Sequence, residues 1–444
     1  MKLTDWPVVQ AAKLSRSPEA FFVEQREALG DPFPLRLPGV GPLWVTGRPD
    51  GARAVFSAPP DTFEPLENNP VEPLLGSSSL ILLGGSRHRR ERKLLAPPFR
   101  GERMRAHGAA IRKIAREVAR ATRGPRPFAV QDLTREITVR VIIETVFGVQ
   151  DPSRRALFER SIAALLEGYI APLMIVPALR KRLGGVGPWD RFVSARKKFR
   201  ALLREEIAAR RVASTEDATD ILALLLELRY DDGSRPDDEA IVDQLCTLLV
   251  AGHDTTAIGL TWALYFLHEG RHTLARLRSE LEGGADPVSR TSAPYLAAVC
   301  NEALRMHPVV PIVVRRLTKP LTICARELSV GDAVAVALPL LHRDPKLFPD
   351  PEVFRPERFL AWQPAPHEFA PFGGGARRCL GAGFAAFEMR VTLAAVLEEL
   401  ELELVDERAP VPVLHGITMG PQTPIRFRVI PRRDVPVAAP RATL

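Results

Sequence analysis

Residues 372–381 read Phe-Gly-Gly-Gly-Ala-Arg-Arg-Cys-Leu-Gly, which places Cys379 in a glycine-rich loop beside Arg377 and Arg378. Cations and open backbone N–H groups favour S⁻ over SH, so this setting lowers a thiol pKa and creates a soft, anionic metal ligand. The run 373–375 lets the backbone turn tightly and pass close to a flat ligand, which residues with a Cβ resist. A second segment, Ala251-Gly252-His253-Asp254-Thr255-Thr256, is poor helix material. It nevertheless lies in the middle of the longest apolar-periodic stretch. Such a conflict marks function: small Ala251 and Gly252 leave room for a small molecule, and the Asp254 carboxylate and Thr255 hydroxyl can relay protons. Purely structural readings stand beside these. Cys379 is then a free thiol in a turn, and the threonines back-bond to carbonyls one turn earlier.

Other candidates are ordinary one by one. Glu302 and Arg305 lie one helical turn apart, as many surface pairs do. His88 and Arg92 are four apart, hence on one face of a helix. Arg315 follows the apolar segment 308–314, with Arg316 as its rival for any inward role.

The pattern Phe372-x-x-Gly375-x-Arg377-x-Cys379-x-Gly381 resembles the cysteine loop of the cytochrome P450 family of haem-thiolate monooxygenases at every fixed position. The resemblance extends over about residues 80–390, with further motifs in family order. It implies a mainly α fold with small β-sheets, with haem b between the long central helix and the cysteine loop. Cys379 is then the axial ligand of the iron, in a loop shaped by Phe372, Gly373 and Gly381. A thiolate in that position pushes electron density that favours O–O cleavage. The resemblance gives Thr255 the hydroxyl role and Asp254 the proton-supply role, with Ala251 and Gly252 beside the O2 site. The acid at 254 argues against peroxide-using members, and His253 receives no role. It makes His88, Arg92, Arg315 and Arg377 the partners of the two haem propionates. It also joins Arg358, within Phe354-Arg-Pro-Glu-Arg-Phe359, to Glu302 and Arg305 in a network that supports the loop.

The composition is that of a globular enzyme: 444 residues, 46% hydrophobic and 26% charged. One domain over 1–430 and a disordered tail over 431–444 are expected. The start of the chain lacks a basic-then-apolar signal pattern. The longest apolar stretch, 245–267, carries His253 and Asp254, so it reads as a core helix and not a membrane span. No membrane anchor, a cytoplasmic location and a monomer are expected, as in the soluble bacterial members. Cys246, Cys300 and Cys324 sit in apolar contexts and read as buried free thiols. The net charge is +8, but residues 87–126 hold 14 lysines and arginines against 3 acids. That concentration suggests a docking surface for an acidic partner. Without interleaved aromatics or a nucleic-acid motif, nucleic acid is not expected.

Helical periodicity is expected over 104–123, 132–147, 154–170, 189–212, 218–229, 234–267 and 293–306. Asp132 is the expected cap of the second helix, Ser234-x-x-Asp237 the start of the longest, and Gly124-Pro125 the stop of the first. Short strands are expected at 43–46, 321–324, 333–337 and 425–429.

The implied reaction inserts one oxygen atom of O2 into a C–H or C=C bond. The substrate is a small apolar or amphiphilic molecule, terpenoid, fatty acid or polyketide-like. The segments 74–83, 162–175, 309–314 and 414–418 are expected to line the pocket. Electrons would come from a separate acidic ferredoxin-type donor and its reductase, docking at Arg89, Arg90, Lys93, Arg112 and Lys113. A haem-thiolate isomerase or dehydratase and a non-enzymatic haem sensor are the alternatives.

Overall fold

Thirty-two residues with near-continuous apolar character, Asp238–Glu269, form one helix about 48 Å long, around which the other elements pack. The structure, a computed structural model, describes residues 6–431 except 39, 67–68, 100, 123, 125, 213–218 and 284–289. Asp237 caps the helix by accepting a hydrogen bond from Ala240 N at 2.6 Å. The start therefore lies three residues beyond Ser234, which bonds Asp232 instead and closes the preceding turn. From Thr256 to Leu267 the helix is buried without a break. A helix apolar all round belongs at the centre of a domain.

Helices Val130–Val141, Pro294–Met306 and Ala382–Glu399 flank it. The first begins after strand Phe128–Ala129, so Ala129 holds the cap position and Asp132 falls in the first turn. It runs into a wider π turn, Ile142–Val146, and the chain leaves through Gly148 at φ 70°. The expected helix over 104–123 is split into Gly101–Ala106 and Gly108–Ala121, with buried His107 at the joint. Pro125 of its expected stop lies outside the described residues, as do Ala218 of the 218–229 helix and 432–444 of the tail. Helices Pro188–Val212 and Ile221–Glu227 pack along the first half of the central helix, and Pro152–Gly168 packs on Pro188–Val212.

A five-stranded sheet stands to one side, in the order Phe33–Leu37, Gly41–Thr46, Ala333–Ala337, Ile312–Leu317, Phe63–Glu64. Only the Gly41–Thr46 and Ala333–Ala337 pair is parallel. The alanine–valine strand at its centre is buried at every residue, as a central strand must be. A hairpin of Pro412–His415 and Thr418–Pro421 lies against the central helix, where Trp262 Nε1 donates to Met419 O at 3.4 Å. Cys246 and Cys300 are buried free thiols, as expected, but Cys324 is only half-buried, in a tight turn at φ 48°. Among the described residues no helix is long and apolar enough to cross a membrane.

One buried acid on this scaffold has a measurable consequence. Glu388, on helix Ala382–Glu399, is 1% exposed, and its Oε1 has no hydrogen-bond partner among the described residues. Burial pushes its pKa from 4.5 up to about 8. The folded chain thus keeps a proton that the unfolded chain releases near pH 4.5, so stability falls as pH rises from 5 to 8. Glu388→Gln is expected to remove this loss, gaining about 3 kcal/mol on wild type between those pH values. Urea unfolding at both pH values measures it.

Candidate active site

The cysteine loop is folded by its own backbone. Gly373 N donates to Ala370 O at 2.8 Å, Arg378 N to Gly375 O at 3.0 Å and Cys379 N to Phe372 O at 2.9 Å. The three glycines serve two different purposes. A Cβ on Gly374 would lie 2.4 Å from Phe56 Cγ, and one on Gly375 2.2 Å from Phe56 O, whereas Gly373 has its nearest neighbour, Val313, at 3.7 Å. Gly374 and Gly375 therefore let the loop press against helix Pro49–Ser57. Only Gly373, at φ 66°, stays clear on its open side.

Cys379 keeps accessible surface although protein encloses it, as a residue lining a cleft does. The Gly381 N–H, Arg378 and Arg92 favour its thiolate, but burial outweighs them and pushes the thiol pKa up. The low pKa expected from the neighbouring arginines is therefore not a property of the polypeptide alone. A cation bound at sulfur reverses the balance, since a coordinating thiol is deprotonated outright.

Helix Gly85–Leu95 contributes buried His88 and, one turn on, Arg92. Arg377 Nη2 donates to Leu83 O at 2.7 Å, just before that helix. Burial, followed by the charges of Arg377, Arg92 and Arg315, pushes His88 down to about 4. Burial and Arg377 push Arg315 down to about 10, and burial and Arg92 lower Arg377. The charges acting on Arg315 and Arg377 are those of other arginines. Alternation along strand Ile312–Leu317 sends Arg316 the other way, towards Gly331 O at 3.4 Å. Enclosed like charges are costly unless an anion joins them. The cluster fits the two carboxylates of haem. Among the described residues no three His, Cys, Asp or Glu side chains converge as a metal site. Cys379 as sole protein donor suits an iron whose other ligands come with a macrocycle.

On the central helix, Thr255 Oγ1 donates to Ala251 O at 2.5 Å, the back-bonded geometry of a helical threonine. Asp254 lies between Arg135 Nε, 3.4 Å from Oδ1, and Thr418 Oγ1, 3.4 Å from Oδ2. Arg135 escaped sequence reading, and Thr418 entered it only within the pocket segment 414–418, because both stand more than a hundred residues from Asp254. His253 is buried, bonds Thr138 Oγ1 through Nδ1 at 2.9 Å, and is pushed down to about 4 by burial. At Gly252 a Cβ would meet one atom, Ile142 Cδ1 of the π turn, at 3.0 Å, so the missing side chain also eases the contact between this helix and the π turn. Ala251 keeps the exposed position.

Glu302, Arg305 and Arg358 meet behind the loop. Arg305 Nε and Nη2 grip Glu302 at 2.7 and 2.9 Å, and Arg358 Nε reaches Glu302 Oε1 at 3.0 Å. Arg305 Nη1 also donates to His342 O at 3.0 Å, and His342 Nε2 accepts from Ala370 N at 3.0 Å. His342 thus connects the ion pair to the base of the cysteine loop, a role its sequence context does not signal.

The basic patch is weaker than its count. Arg90 pairs with Asp232, Lys93 with Asp231, Arg112 with Glu398, and Arg116 and Arg120 with Glu399, all acids outside 87–126. Of the five expected docking residues, Arg89 and Lys113 are exposed and pair with no acid outside 87–126 among the described residues; Lys113 has only the loose, exposed pair with Glu117 at 3.9 Å.

The cytochrome P450 family profile matches residues 3–428. Cytochrome P450 135B1 of Mycobacterium tuberculosis is 36% identical over 431 residues, covering 96% of this chain and 90% of that protein. Cytochrome P450 137 of the same organism is 33% identical, covering 86% of this chain and 79% of its own. Among solved structures, retinoic-acid-bound cyanobacterial CYP120A1 superposes with a TM-score of 0.81 at 25% identity, covering 92% of this chain and 94% of that one. With a thiol and a cationic cluster suited to haem already in its fold, the chain belongs to the cytochrome P450 family of haem monooxygenases.

Proposed function

We propose that this enzyme oxygenates an apolar or amphiphilic small molecule, using electrons from a separate acidic ferredoxin-type protein. The observation that carries the reading is the convergence of Cys379 with His88, Arg92, Arg315 and Arg377. Haem b, when bound, supplies the redox chemistry that splits O2, so that one atom enters a C–H or C=C bond and the other leaves as water, with uptake of two electrons and two protons. Cys379 Sγ would hold the iron, with the Gly381 N–H moderating the charge on sulfur. His88 and the three arginines would hold the ring through its carboxylates. Thr255 Oγ1, tied to Ala251 O, keeps its lone pairs free to accept a proton and pass one on. Asp254 brings that proton from solvent, held in place by Arg135 and Thr418. Glu302, Arg305 and Arg358 keep the loop folded and take no part in the chemistry.

The expected pocket segments are largely apolar, with Leu74, Leu80, Leu83, Ile162, Leu165, Val309 and Val313 all buried. A terpenoid, fatty acid or polyketide-like substrate suits such walls. Retinoic acid in the cyanobacterial relative, an isoprenoid acid, supports that range. For the donor, Arg89 and Lys113 form the part of the patch not neutralised by distant acids, which exposed Arg105 extends.

Reduced with dithionite under CO, the wild type is expected to show the strongly red-shifted Soret band of a thiolate ligand, and Cys379→Ala to lack it. An unshifted wild-type band would end the haem-thiolate reading. With a molecule chosen by its type-I spectral shift from a lipid and natural-product library, Thr255→Ala is expected to keep consuming NADPH. Its product per NADPH should drop by at least about tenfold, and unchanged coupling would remove Thr255 from the relay. Reversing charge in the Arg89→Glu, Lys113→Glu double variant should slow reduction by a competent ferredoxin severalfold at low salt, with the difference vanishing at high salt. Stopped-flow reduction rates that ignore both changes would refute docking there.

A further inference from the structure

Loop 76–83, between helices Glu72–Leu75 and Gly85–Leu95, is bonded on two sides. The cysteine loop holds its end through Arg377 and Leu83 O. The central helix holds its middle. Asp243 Oδ2 accepts from Ser78 N at 2.9 Å, Gln244 Nε2 donates to Ser78 O at 2.6 Å, and Thr247 Oγ1 donates to Ser79 Oγ at 2.7 Å. The other oxygen of Asp243 serves a different element: Oδ1 accepts from Arg200 Nη1 at 2.7 Å, on helix Pro188–Val212. Asp243 is 4% exposed. Gly76, at φ 116°, comes so close that a Cβ there would lie 2.1 Å from Oδ1. Asp243, Thr247, Ala251 and Thr255 follow at four-residue spacing, one ridge of the helix. The loop therefore lies on the ridge that leads to the proposed reaction centre.

We propose that Asp243 is a positioning residue whose single carboxylate couples loop 76–83 to helix Pro188–Val212, and so sets how large a molecule reaches Ala251 and Thr255. This rests on the reading above that the pocket lies over those two residues. Other pairs join the same helices, Glu239 to both Arg200 and Arg204 and Asp238 to Arg211, but their acids are solvent-exposed and hold weakly. The Asp243 pair is enclosed and shares its anion with a backbone N–H. It also faces a second guanidinium: burial and the charge of Arg200 lower the pKa of Arg196, which the charge of Asp243 supports. Removing that carboxylate leaves Arg196 and Arg200 repelling each other while Ser78 N loses its acceptor. Both walls lose their one shared, enclosed anion in one step, keeping only Glu239 and Leu75 O on Arg200 and the Gln244 and Thr247 bonds on the loop.

The test compares haem-loaded wild type, Asp243→Asn, Asp243→Ala and Glu239→Gln. Hydrogen exchange is read at 77–82, at 196–204 and, as internal reference, at 256–267. Type-II spectral titrations use imidazole and a bulky phenyl-substituted azole. Asp243→Ala is expected to speed exchange of the loop and the 196–204 segment together by at least about tenfold, the effect of losing a charged hydrogen bond. It should also shift the affinity ratio between bulky azole and imidazole, with the reference segment and the CO-bound band unchanged. Asp243→Asn, which keeps an acceptor, should fall between, and Glu239→Gln, which loosens Arg200 and Arg204 but leaves Asp243 on Ser78 N, should keep loop exchange and the azole ratio as in wild type. Faster exchange in the loop alone would overturn the coupling. An unchanged azole ratio would overturn the control of size, and equal acceleration in 256–267 would show mere destabilisation. A wild type without the red-shifted CO band would instead break the haem-thiolate reading.

Discussion

The enclosed ion pair of Arg305 with Glu302 is the constraint on which the geometry of the site depends. Both side chains have no exposure at all. Two charges withdrawn from water are tolerated only when nearly every donor and acceptor is used. Here Glu302 Oε1 also takes Arg355 N at 2.8 Å, and Arg305 spreads its donors over Glu302, His342 O and Val353 O. The result is less a gain in stability than a fixed register between helix Pro294–Met306 and residues 342–358. Because His342 then receives Ala370 N, that register passes to the cysteine loop within two residues of Phe372.

The opposite condition holds on the cleft side of the loop. There arginines converge with only one another's charge acting on Arg315 and Arg377, and a thiol is pushed up by burial. A fold that satisfies charge so fully behind the loop and so poorly in front of it is shaped for something that brings anions to the arginines and a cation to the sulfur. A metal ring bearing two carboxylates does both. The supporting network and the cationic cluster are thus two halves of one arrangement, the first making the cost of the second bearable.

Sequence reading reached the residues whose meaning is carried by short spacing. Cys379 with its loop, Asp254-Thr255, His88 with Arg92, and Glu302 with Arg305 are all local patterns, and the strand 333–337 matches to the residue. It went astray where a partner is distant in the chain. Gly374 and Gly375 looked like ligand-facing glycines because nothing in the sequence says that Phe56 lies beneath them. The basic stretch looked uncompensated because Asp231, Asp232, Glu398 and Glu399 lie far along the chain. A local charge count measures composition, and only folding decides which charges remain free for a partner.

The central helix shows why its polar residues are not blemishes in an apolar element. After Thr256 it is buried core, and there packing dominates, with Thr261 bonded to Thr134 and Trp262 to Met419 O as its bonds to other elements. Before that point each polar side chain meets a specific partner. Asp237 meets the helix's own Ala240 N, Asp243 meets Ser78 N and Arg200, and Gln244 meets Ser78 O. Thr247 meets Ser79, His253 meets Thr138, and Asp254 meets Arg135 and Thr418. A buried polar group without a partner costs more than an apolar one, so the buried ones, Asp243, Gln244, Thr247 and His253, are kept by bonds that fix another element against the helix. The helix therefore works as a ruler. Its second half sets the fold, and its first half places the surrounding segments relative to Ala251 and Thr255. Changing a polar residue far from the thiol can then alter what reaches it without touching the iron ligand at all.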